Sequence, residues 1–281
     1  MKIVIASGKG GTGKTMVAAN MAYTLSQNEH VSLVDCDAEE PDLHLYFQGT
    51  SGSVPVKTRI PVIDQALCDF CGRCGEFCMY GALTVLKDRV LFFSQMCHAC
   101  GGCTIVCPQF AISEQDHTIG SVEIRKISDN LTLYSGIMEP GQVLAPRIIH
   151  AAKEQAAPGL TILDAAPGVG CPVIEALDGA DFILLVTEPT PFGVSNLSQM
   201  VELIRMLKIP AAVIINRSFG DDEIVHTFCR SVDLPVWLTI PFSRDFAKVQ
   251  NSGGLIAREF PECKKKFVEL YAHIKDQCEQ S

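Results

Sequence analysis

The stretch Gly8-Lys9-Gly10-Gly11-Thr12-Gly13-Lys14-Thr15 decides the fold of this chain of 281 residues. It follows the apolar run Ile3–Ala6, which predicts a strand, and precedes the helical pattern Thr15–Ser26. A glycine-rich loop between a strand and a helix can surround phosphate oxygens with backbone N–H groups at the positive end of the helix. In such a loop Lys14 should reach the β- and γ-phosphates of a nucleotide, and Thr15 should ligate Mg²⁺. The stretch therefore predicts a phosphate-binding α/β fold.

Apolar runs elsewhere in the chain extend this prediction to a whole sheet. Most of them are apolar throughout instead of alternating, which is typical of strands covered on both faces. Helical patterns such as Leu197–Leu207 separate several of them, so we predict a mostly parallel sheet flanked by helices. The runs are Val31–Val34, Thr161–Leu163, Phe182–Val186, Ala212–Ile215 and Val236–Ile240.

The regular pattern is interrupted between Pro41 and Ala145. Within the interruption, the glycine- and serine-rich stretch Gly49–Ser53 predicts a loop. Partial alternation of apolar residues over 121–138 predicts a hairpin that returns the chain to the main sheet.

Eight of the 13 cysteines lie in this interruption, in two copies of one spacing. The spacing C-x2-C-x2-C-x3-C is the one that holds cubane iron–sulfur clusters, and the fourth cysteine of each run serves the other cluster. Zinc is the alternative metal, because tetrahedral Cys₄ sites also use C-x2-C pairs. Two complete copies favour iron, although Met79 stands where a proline is usual. We assign one [4Fe-4S] cluster to Cys68, Cys71, Cys74 and Cys107, and the other to Cys97, Cys100, Cys103 and Cys78.

The cysteine block also repeats its following residues, since Cys78–Leu83 matches Cys107–Ile112 in pattern. A short repeat of this kind predicts a pseudo-twofold miniature domain that gains much of its folding energy from its clusters. We therefore divide the chain into a nucleotide-binding domain, residues 1–60 and 118–281, and an inserted ferredoxin-like α+β domain, residues 61–117.

The composition limits the classes of partner. The formal net charge of −9 disfavours general binding to nucleic acid or to anionic membranes. The sequence has no apolar run long enough to cross a bilayer. Many cysteines without a secretion signal predict a reducing, cytoplasmic location, with metal ligation in place of disulfides.

Lys9 is an unusual addition to the phosphate-binding loop, and the loop with it resembles the deviant Walker A motif of the MinD/ParA/nitrogenase-iron-protein class. With the cysteine block included, the whole chain resembles MinD-superfamily P-loop ATPases that contain an inserted two-cluster ferredoxin domain. The other matching motifs are Val34–Asp37, Leu163–Gly168, Thr187–Gly193 and Ile214–Arg217.

The resemblance implies a role for each matching residue. Lys9 would cross a dimer interface to the partner's ATP, so that Lys9, Lys14 and Asp37 are the expected catalytic residues. Asp37 would position the attacking water, and Asp164 would hold Mg²⁺ through water. Asn216 would contact adenine, although it could equally satisfy backbone at a strand end. The expected nucleotide-binding residues are Gly10, Gly11, Thr12, Gly13, Lys14, Thr15, Asn216 and Pro241.

Asp35 and the remaining cysteines are open to plainer interpretations. Asp35 could simply cap a strand end and fix the following loop. Cys171 follows Asp164 by seven residues, the offset of the bridging-cluster cysteine in the nitrogenase iron protein. We hypothesise that Cys171 approaches its twofold mate across a dimer and binds metal, with simple packing as the alternative. The other cysteines, for which we expect packing roles, are Cys36, Cys229, Cys263 and Cys278.

These features predict a slow, Mg²⁺-dependent and dimer-dependent ATPase that binds ATP or ADP and couples its nucleotide state to the ferredoxin module. The output would be electron transfer to a redox partner, or redox-linked control of one. The dimer would be a homodimer or a heterodimer with a similar paralogue. One alternative is a positioning or partitioning ATPase whose clusters are structural or sense redox state. Another is an iron–sulfur cluster carrier or scaffold ATPase.

Overall fold

The computed structural model of the protein describes residues 1–279. Eleven strands lie in this part of the chain. They are β1 (Lys2–Ala6), β2 (Val31–Cys36), β3 (Thr50–Ile63), β4 (Leu83–Val85), β5 (Val90–Phe92), β6 (Ile112–Ser128), β7 (Leu131–Met138), β8 (Leu160–Ala165), β9 (Phe182–Thr187), β10 (Ala211–Ser218) and β11 (Val236–Pro241).

Helices connect most of these strands. They are α1 (Lys14–Leu25), α2 (Arg73–Phe77), α3 (Gly102–Val106), α4 (Ala145–Gln155), α5 (Cys171–Leu177), α6 (Pro191–Leu207), α7 (Glu223–Ser231), α8 (Arg244–Asn251), α9 (Ile256–Glu259) and α10 (Pro261–Glu279). Short 3₁₀ turns lie at Leu43–Leu45 and Ser94–Met96.

Nine strands form one sheet in the order β11-β10-β9-β1-β8-β2-β7-β6-β3. The strands from β11 to β7 are parallel to their neighbours, whereas β6 pairs antiparallel with both β7 and β3. The six strands expected from apolar runs are confirmed, as is the hairpin over 121–138, which β6 and β7 form. The mostly parallel α/β architecture is therefore the predicted one.

Both faces of the sheet are covered, which explains why its strands are apolar throughout. Ile3 and Ile5 of β1 pack into one core layer with α1 and α10, and Val4 and Ala6 pack into the other with α4, α5 and α6. Successive residues of a strand point to opposite faces. In a strand covered on both faces, side chains at all positions are therefore buried and mostly apolar.

The edge of the sheet corrects one prediction. Residues 50–53 were expected in a loop, but they form the start of β3, which pairs with β6 from Thr50↔Lys126 to Ile63↔Ile112. This first half of β3 is exposed at the sheet edge, so its polar residues need no apolar alternation; hydrogen bonding to β6 determines its conformation. Because residues 61 and 117 lie inside these strands, the predicted domain limits cut a continuous two-stranded ribbon.

Residues 64–111 lie beyond the end of this ribbon and carry all eight clustered cysteines. The short helices α2 and α3 follow equivalent positions of the two cysteine runs, and β4 pairs with β5 between them. A small apolar cluster of its own includes Cys74, Cys103 and Ile112. This local core is small, and several large apolar side chains of the segment, such as Met79, Ile105 and Phe110, are exposed instead.

The last helix, α10, packs on the main sheet. Phe267, Leu270, Tyr271 and Ile274 are buried in the same core layer as α1. Their spacing therefore serves packing against the domain. No helix within residues 1–279 combines the length and apolar character needed to cross a lipid bilayer.

Candidate functional site

The phosphate-binding loop lies where β1 ends and α1 begins. Gly11 and Gly13 have φ angles of 77° and 95°, in the left-handed region that glycine adopts readily. Gly13 is the N-cap of α1 and offers no side chain there, so the first N–H groups of the helix remain available to an anion. A Cβ on Gly13 would also lie 2.3 Å from Nδ2 of Asn216, so only glycine fits this position.

Two buried oxygens at the end of the sheet have no hydrogen-bond partner among the described residues. They are Oγ1 of Thr12 in the loop and Oδ1 of Asp164 at the end of β8. Leaving such a group unpaired costs about 1–3 kcal/mol, which a ligand with donors or a hydrated cation can recover. Together with the buried Lys14 amine, these atoms fit the phosphates and the Mg²⁺ of a nucleotide.

The electrostatics of the apo site reflect the burial of its charges. Burial lowers the pKa of Lys14, and the nearby Asp164 and Asp37 oppose that shift. Burial raises the pKa of Asp164 to about 7, against a hydrogen bond from Thr15 and the charge of Lys14. Burial therefore disfavours negative charge on these carboxyl groups, and a bound cation would favour it.

Asp35 lies beside Asp164, because β2 and β8 pair with these two residues in register. Burial, followed by the charge of Asp164, raises the pKa of Asp35 well above its ordinary value. Its two carboxylate oxygens accept hydrogen bonds from the backbone N–H groups of Asp37 and Leu43, at 3.1 and 3.0 Å. Asp35 thus fixes the loop after β2, as the plainer interpretation predicted.

Asp37 stands in that loop at the mouth of the site and is half-buried. Burial raises the pKa of Asp37, while the N–H of Glu40 and the charge of Lys14 act in the opposite direction. Asp37 is thus close to Lys14, and its role in orienting a water for phosphoryl transfer stays a prediction.

A cavity of about 490 Å³ adjoins the loop and is large enough for a nucleoside. Gly13 and Thr15 line one side, and Asn216, Pro241 and Phe242 line another. The side chain of Asn216 also donates a hydrogen bond of 2.8 Å to the carbonyl of Thr12. It therefore braces the phosphate-binding loop while it lines the cavity; its contact with adenine remains a prediction.

Lys9 is bound within its own chain. Its Nζ lies 3.0 Å from Oε2 of Glu188, a residue after the end of β9. Glu188 also accepts a hydrogen bond from Arg217 at 2.6 Å. The sequence pattern drew attention to Lys9 but not to this acceptor. The sequence signal that could have indicated this acceptor is an acidic residue directly after β9, a strand that neighbours β1.

The eight clustered cysteines line two separate cavities, four cysteines in each. Neither cavity is lined by one complete run, because each takes its fourth cysteine from the other run. One cavity is lined by Cys68, Cys71, Cys74 and Cys107, and the other by Cys78, Cys97, Cys100 and Cys103. This grouping of the cysteines matches the predicted sets, and their ligation of two clusters stays a prediction.

Backbone geometry in both runs suits thiolate ligands. The N–H groups of Phe70 and Ala99 point at Cys68 Sγ and Cys97 Sγ over 3.4 Å, and both residues have positive φ. The N–H of Ala111 likewise donates to Cys107 Sγ. Hydrogen bonds to cluster sulfurs are among the features that set cluster potentials. The cysteine cavities therefore fit [4Fe-4S] clusters, which would need these thiols ionised.

Burial and mutual repulsion oppose ionisation of thiols in both cysteine cavities. Burial raises the pKa of Cys74, and Cys68 and Cys107 raise it further through thiolate repulsion. Burial also raises the pKa of Cys97, with Cys100 and Cys78 adding to the shift. Within residues 1–279, no three His, Cys, Asp or Glu side chains are arranged to hold a single metal ion.

The remaining cysteines occupy different environments. Cys171 is exposed at the first residue of α5, next to the loop that follows Asp164. It is accessible in the single chain, and its role across a dimer remains a hypothesis. The others, Cys36, Cys229, Cys263 and Cys278, are buried or half-buried.

Comparisons with known proteins agree with the nucleotide site. A family model described as the CobQ/CobB/MinD/ParA nucleotide binding domain matches residues 3–256. An uncharacterized protein of Methanocaldococcus jannaschii is 31% identical over 238 residues, which are 81% of this chain and 84% of that protein. An uncharacterized ATP-binding protein of the same organism is 25% identical, over 90% of each chain. Among solved structures, the cell division ATPase MinD of Pyrococcus furiosus has a TM-score of 0.58 at 19% identity, over 98% of each chain.

Proposed function

Because the chain belongs to the family of CobQ/CobB/MinD/ParA nucleotide-binding domains, we propose that it is an ATPase whose nucleotide state is coupled to two [4Fe-4S] clusters. The observation that carries the coupling is the division of the eight cysteines between two cavities, on the same chain as the phosphate-binding loop. A chain with both sites can link phosphate chemistry to electron transfer without a separate subunit.

The nucleotide half of the proposal assigns roles to residues of one sheet end. Backbone N–H groups of Gly10–Thr15 surround the phosphates, and Lys14 neutralises the charge of the β- and γ-phosphates. Thr15 and Asp164 would hold Mg²⁺, which would neutralise phosphate charge there, and the unpaired buried oxygen of Asp164 supports this assignment. Asp37 orients the attacking water. Asn216 and Pro241 flank the base in the adjoining cavity.

Within the nucleotide half, Lys9 links hydrolysis to the dimer. In the single chain the amine of Lys9 pairs with Glu188. In this position the amine does not contact the γ-phosphate of a nucleotide bound to the same chain. On ATP binding two chains associate, Lys9 leaves Glu188, and its amine contacts the phosphates bound to the partner chain. Hydrolysis then depends on association, either with a second copy or with a similar paralogue.

The cluster half of the proposal concerns the output. Clusters held by the two cysteine sets would supply one-electron transfer between a reduced low-potential carrier protein and an acceptor protein. The thiolates of the two cysteine sets bind the clusters, and the backbone N–H groups of Phe70, Ala99 and Ala111 stabilise the charge on the sulfurs. Nucleotide binding would change the potential of a cluster by moving charges or hydrogen bonds around it.

Anaerobically purified protein tests both halves on one sample. We expect about eight irons per chain, as two cubanes require. We also expect Mg²⁺-dependent ATP hydrolysis whose rate per chain rises with protein concentration. We also expect the midpoint potential of at least one cluster to change when a non-hydrolysable ATP analogue is added. Zinc in place of iron, or no nucleotide binding, would refute the corresponding half; unchanged potentials would refute the coupling.

A positioning ATPase is the second candidate, and the similarity of the fold to the cell division ATPase MinD favours it. The clusters would then stabilise the insert or sense redox state. ATP-dependent sedimentation with liposomes, in the absence of any change in cluster potential, would support this candidate. The packing of α10 on the core means that membrane binding would need another surface.

A further inference from the structure

Helix α4 contacts both α5 and the loop between Cys97 and Cys100. One side of it contacts α5, which follows the loop after Asp164. Nδ1 of His150 lies 3.0 Å from Oε1 of Glu175, and Nζ of Lys153 donates to the carbonyl of Asp178 at 2.9 Å. A displacement of α5 would therefore be transmitted to α4 through directed polar contacts.

Helix α4 packs closely on the sheet. Ile148 is fully buried, and its side chain packs against Gly120 of β6 and Gly136 of β7. A Cβ on Gly120 would lie 2.6 Å from the Ile148 side chain, and one on Gly136 would lie 3.0 Å from it. Such close packing leaves little room for α4 to move independently of the strands beneath it.

The strands beneath α4 are joined to the loop that holds Asp37. The backbone N–H of Met138, at the end of β7, donates to the carbonyl of Ala38 at 2.9 Å. The segment after Met138 leads into α4 and passes the insert, where Gln142 lies 3.3 Å from the ring of His117. Helix α4 is thus linked to the loop that holds Asp37 and, through α5, to the loop that follows Asp164.

The other end of the route is Arg147 of α4. Its guanidinium donates to the carbonyl of Ala99 at 3.1 Å. Ala99 lies between Cys97 and Cys100, its own N–H points at Cys97 Sγ, and its side chain packs against the main core. Arg147 thereby attaches one cluster-binding loop to the nucleotide-binding domain.

The first cysteine run is held differently. Its equivalent of Ala99 is Phe70, and the neighbouring Asp69 accepts a hydrogen bond from Gln109, a residue of the same insert. The two cavities have matching cysteines, but the contact with α4 is made by the loop of the second run. This asymmetry distinguishes two otherwise similar sites.

We infer that Arg147 couples the nucleotide state specifically to the cluster held by Cys78, Cys97, Cys100 and Cys103, by changing the position of the Ala99 peptide as α4 moves. The inference rests on the proposed function and names the route and the cluster. Arg147 is a positioning residue: it acts on the hydrogen bonds and charge around the thiolates, which help to set a cluster potential.

The test compares Arg147→Ala and Arg147→Lys with the wild type in EPR-monitored redox titrations, with and without a Mg²⁺–ATP analogue. Cys71→Ser and Cys100→Ser variants assign the two signals. Arg205→Ala is the matched control, because Arg205 also donates to an exposed backbone carbonyl, that of Val232, which lies near β11, at the opposite edge of the sheet from the strands that lead to the clustered cysteines.

By linkage, a nucleotide that shifts a potential must bind the reduced and oxidised protein with different affinity. We expect at least a fivefold affinity ratio in the wild type, the lower end of typical couplings. A tenfold ratio corresponds to about 59 mV for a one-electron couple. Arg147→Ala should bring the ratio close to one with iron content retained, Arg147→Lys should restore part of it, and Arg205→Ala should keep it.

Hydrogen exchange gives a readout that is independent of electron transfer. The analogue should change the protection of the amides over 98–104 in the wild type and in Arg205→Ala, but not in Arg147→Ala. The inference is wrong, and the proposed function stands, if the wild type shows coupling and Arg147→Ala keeps it. The same conclusion follows if the shifted signal is the one that Cys71→Ser removes. If the wild type binds no clusters or no nucleotide, the proposed function itself fails.

Discussion

Lys9 and Glu188 form an ion pair of 3.0 Å within one chain, and this pair holds the unusual lysine of the phosphate-binding loop away from the nucleotide cavity. Arg217 contacts the second carboxylate oxygen of Glu188, so the acid keeps a cationic partner when Lys9 leaves. Because Lys9 lies in the loop and Glu188 follows β9, two neighbouring strands bring together residues 179 positions apart.

Removing the charge of Glu188 should favour the dimer. In Glu188→Gln, Lys9 loses its ion pair, so less free energy is needed to move it to the partner's phosphates. Partly exposed pairs of this kind contribute about 0.2–1 kcal/mol, so we expect ATP-dependent association to tighten by up to about fivefold for each Lys9 that crosses the interface. Sedimentation velocity with a non-hydrolysable ATP analogue measures the change.

Glu223→Gln is the control for that variant, since Glu223 also pairs with an arginine, Arg230, but lies on α7 away from the loop. It should associate like the wild type. Weaker association of Glu188→Gln would mean that Glu188 supports the dimer and does not restrain Lys9.

Gly13→Ala should abolish most nucleotide binding. The φ angle of 95° is strained for alanine, and the new methyl group would displace the Asn216 amide from Thr12. Together these effects should lower affinity about 10- to 100-fold, because each 1.4 kcal/mol is a factor of ten. Isothermal titration with Mg²⁺–ADP measures it. Gly52→Ala, where a Cβ meets open space, should bind as the wild type does, and equal affinities for all three proteins would contradict the loop geometry.

The sequence predicts the parts of this site that depend on local patterns. The phosphate-binding loop, the parallel strands and the cysteine sets follow from spacing, because a β-turn-α element or a cluster run has its chemistry encoded in consecutive residues. The start of β3 escaped prediction, because polar residues at an edge strand carry no burial pattern. The pairs Lys9–Glu188 and Arg147–Ala99 escaped it too, because strand order and the folding of the insert bring them together from distant positions.

Asp164 should make the apo protein less stable as the pH rises. Its pKa is raised from 3.8 to about 7 in the fold, so the native state binds the proton more tightly than the unfolded state. Its favourable contribution is complete below about pH 4 and is lost progressively between there and pH 7. Since one pKa unit corresponds to about 1.4 kcal/mol, the loss should amount to a few kcal/mol, shared with the adjacent Asp35.

Asp164→Asn should therefore be more stable than the wild type at pH 8 without ligand, and its stability should depend less on pH between 4 and 7. Chemical denaturation at several pH values under anaerobic conditions checks this. Asp129→Asn, at an almost fully exposed side chain, should leave the profile unchanged. Added Mg²⁺–ADP should stabilise the wild type more than Asp164→Asn. If the variant is no more stable than the wild type at pH 8, burial of the charged Asp164 carboxylate does not destabilise the fold.

The exchange of fourth cysteines between the two runs can be tested by counting iron. In a Cys68→Ala/Cys71→Ala background one cavity loses two ligands, so about four irons per chain should remain. Adding Cys107→Ala should remove no more iron, because Cys107 lines the cavity that is already disabled, whereas adding Cys78→Ala should remove the second cluster as well. If each run instead bound its own cluster, the two triple variants would behave in the opposite way. Cys229→Ala, at a buried cysteine outside the insert, should retain all the iron and controls for loss of thiol alone.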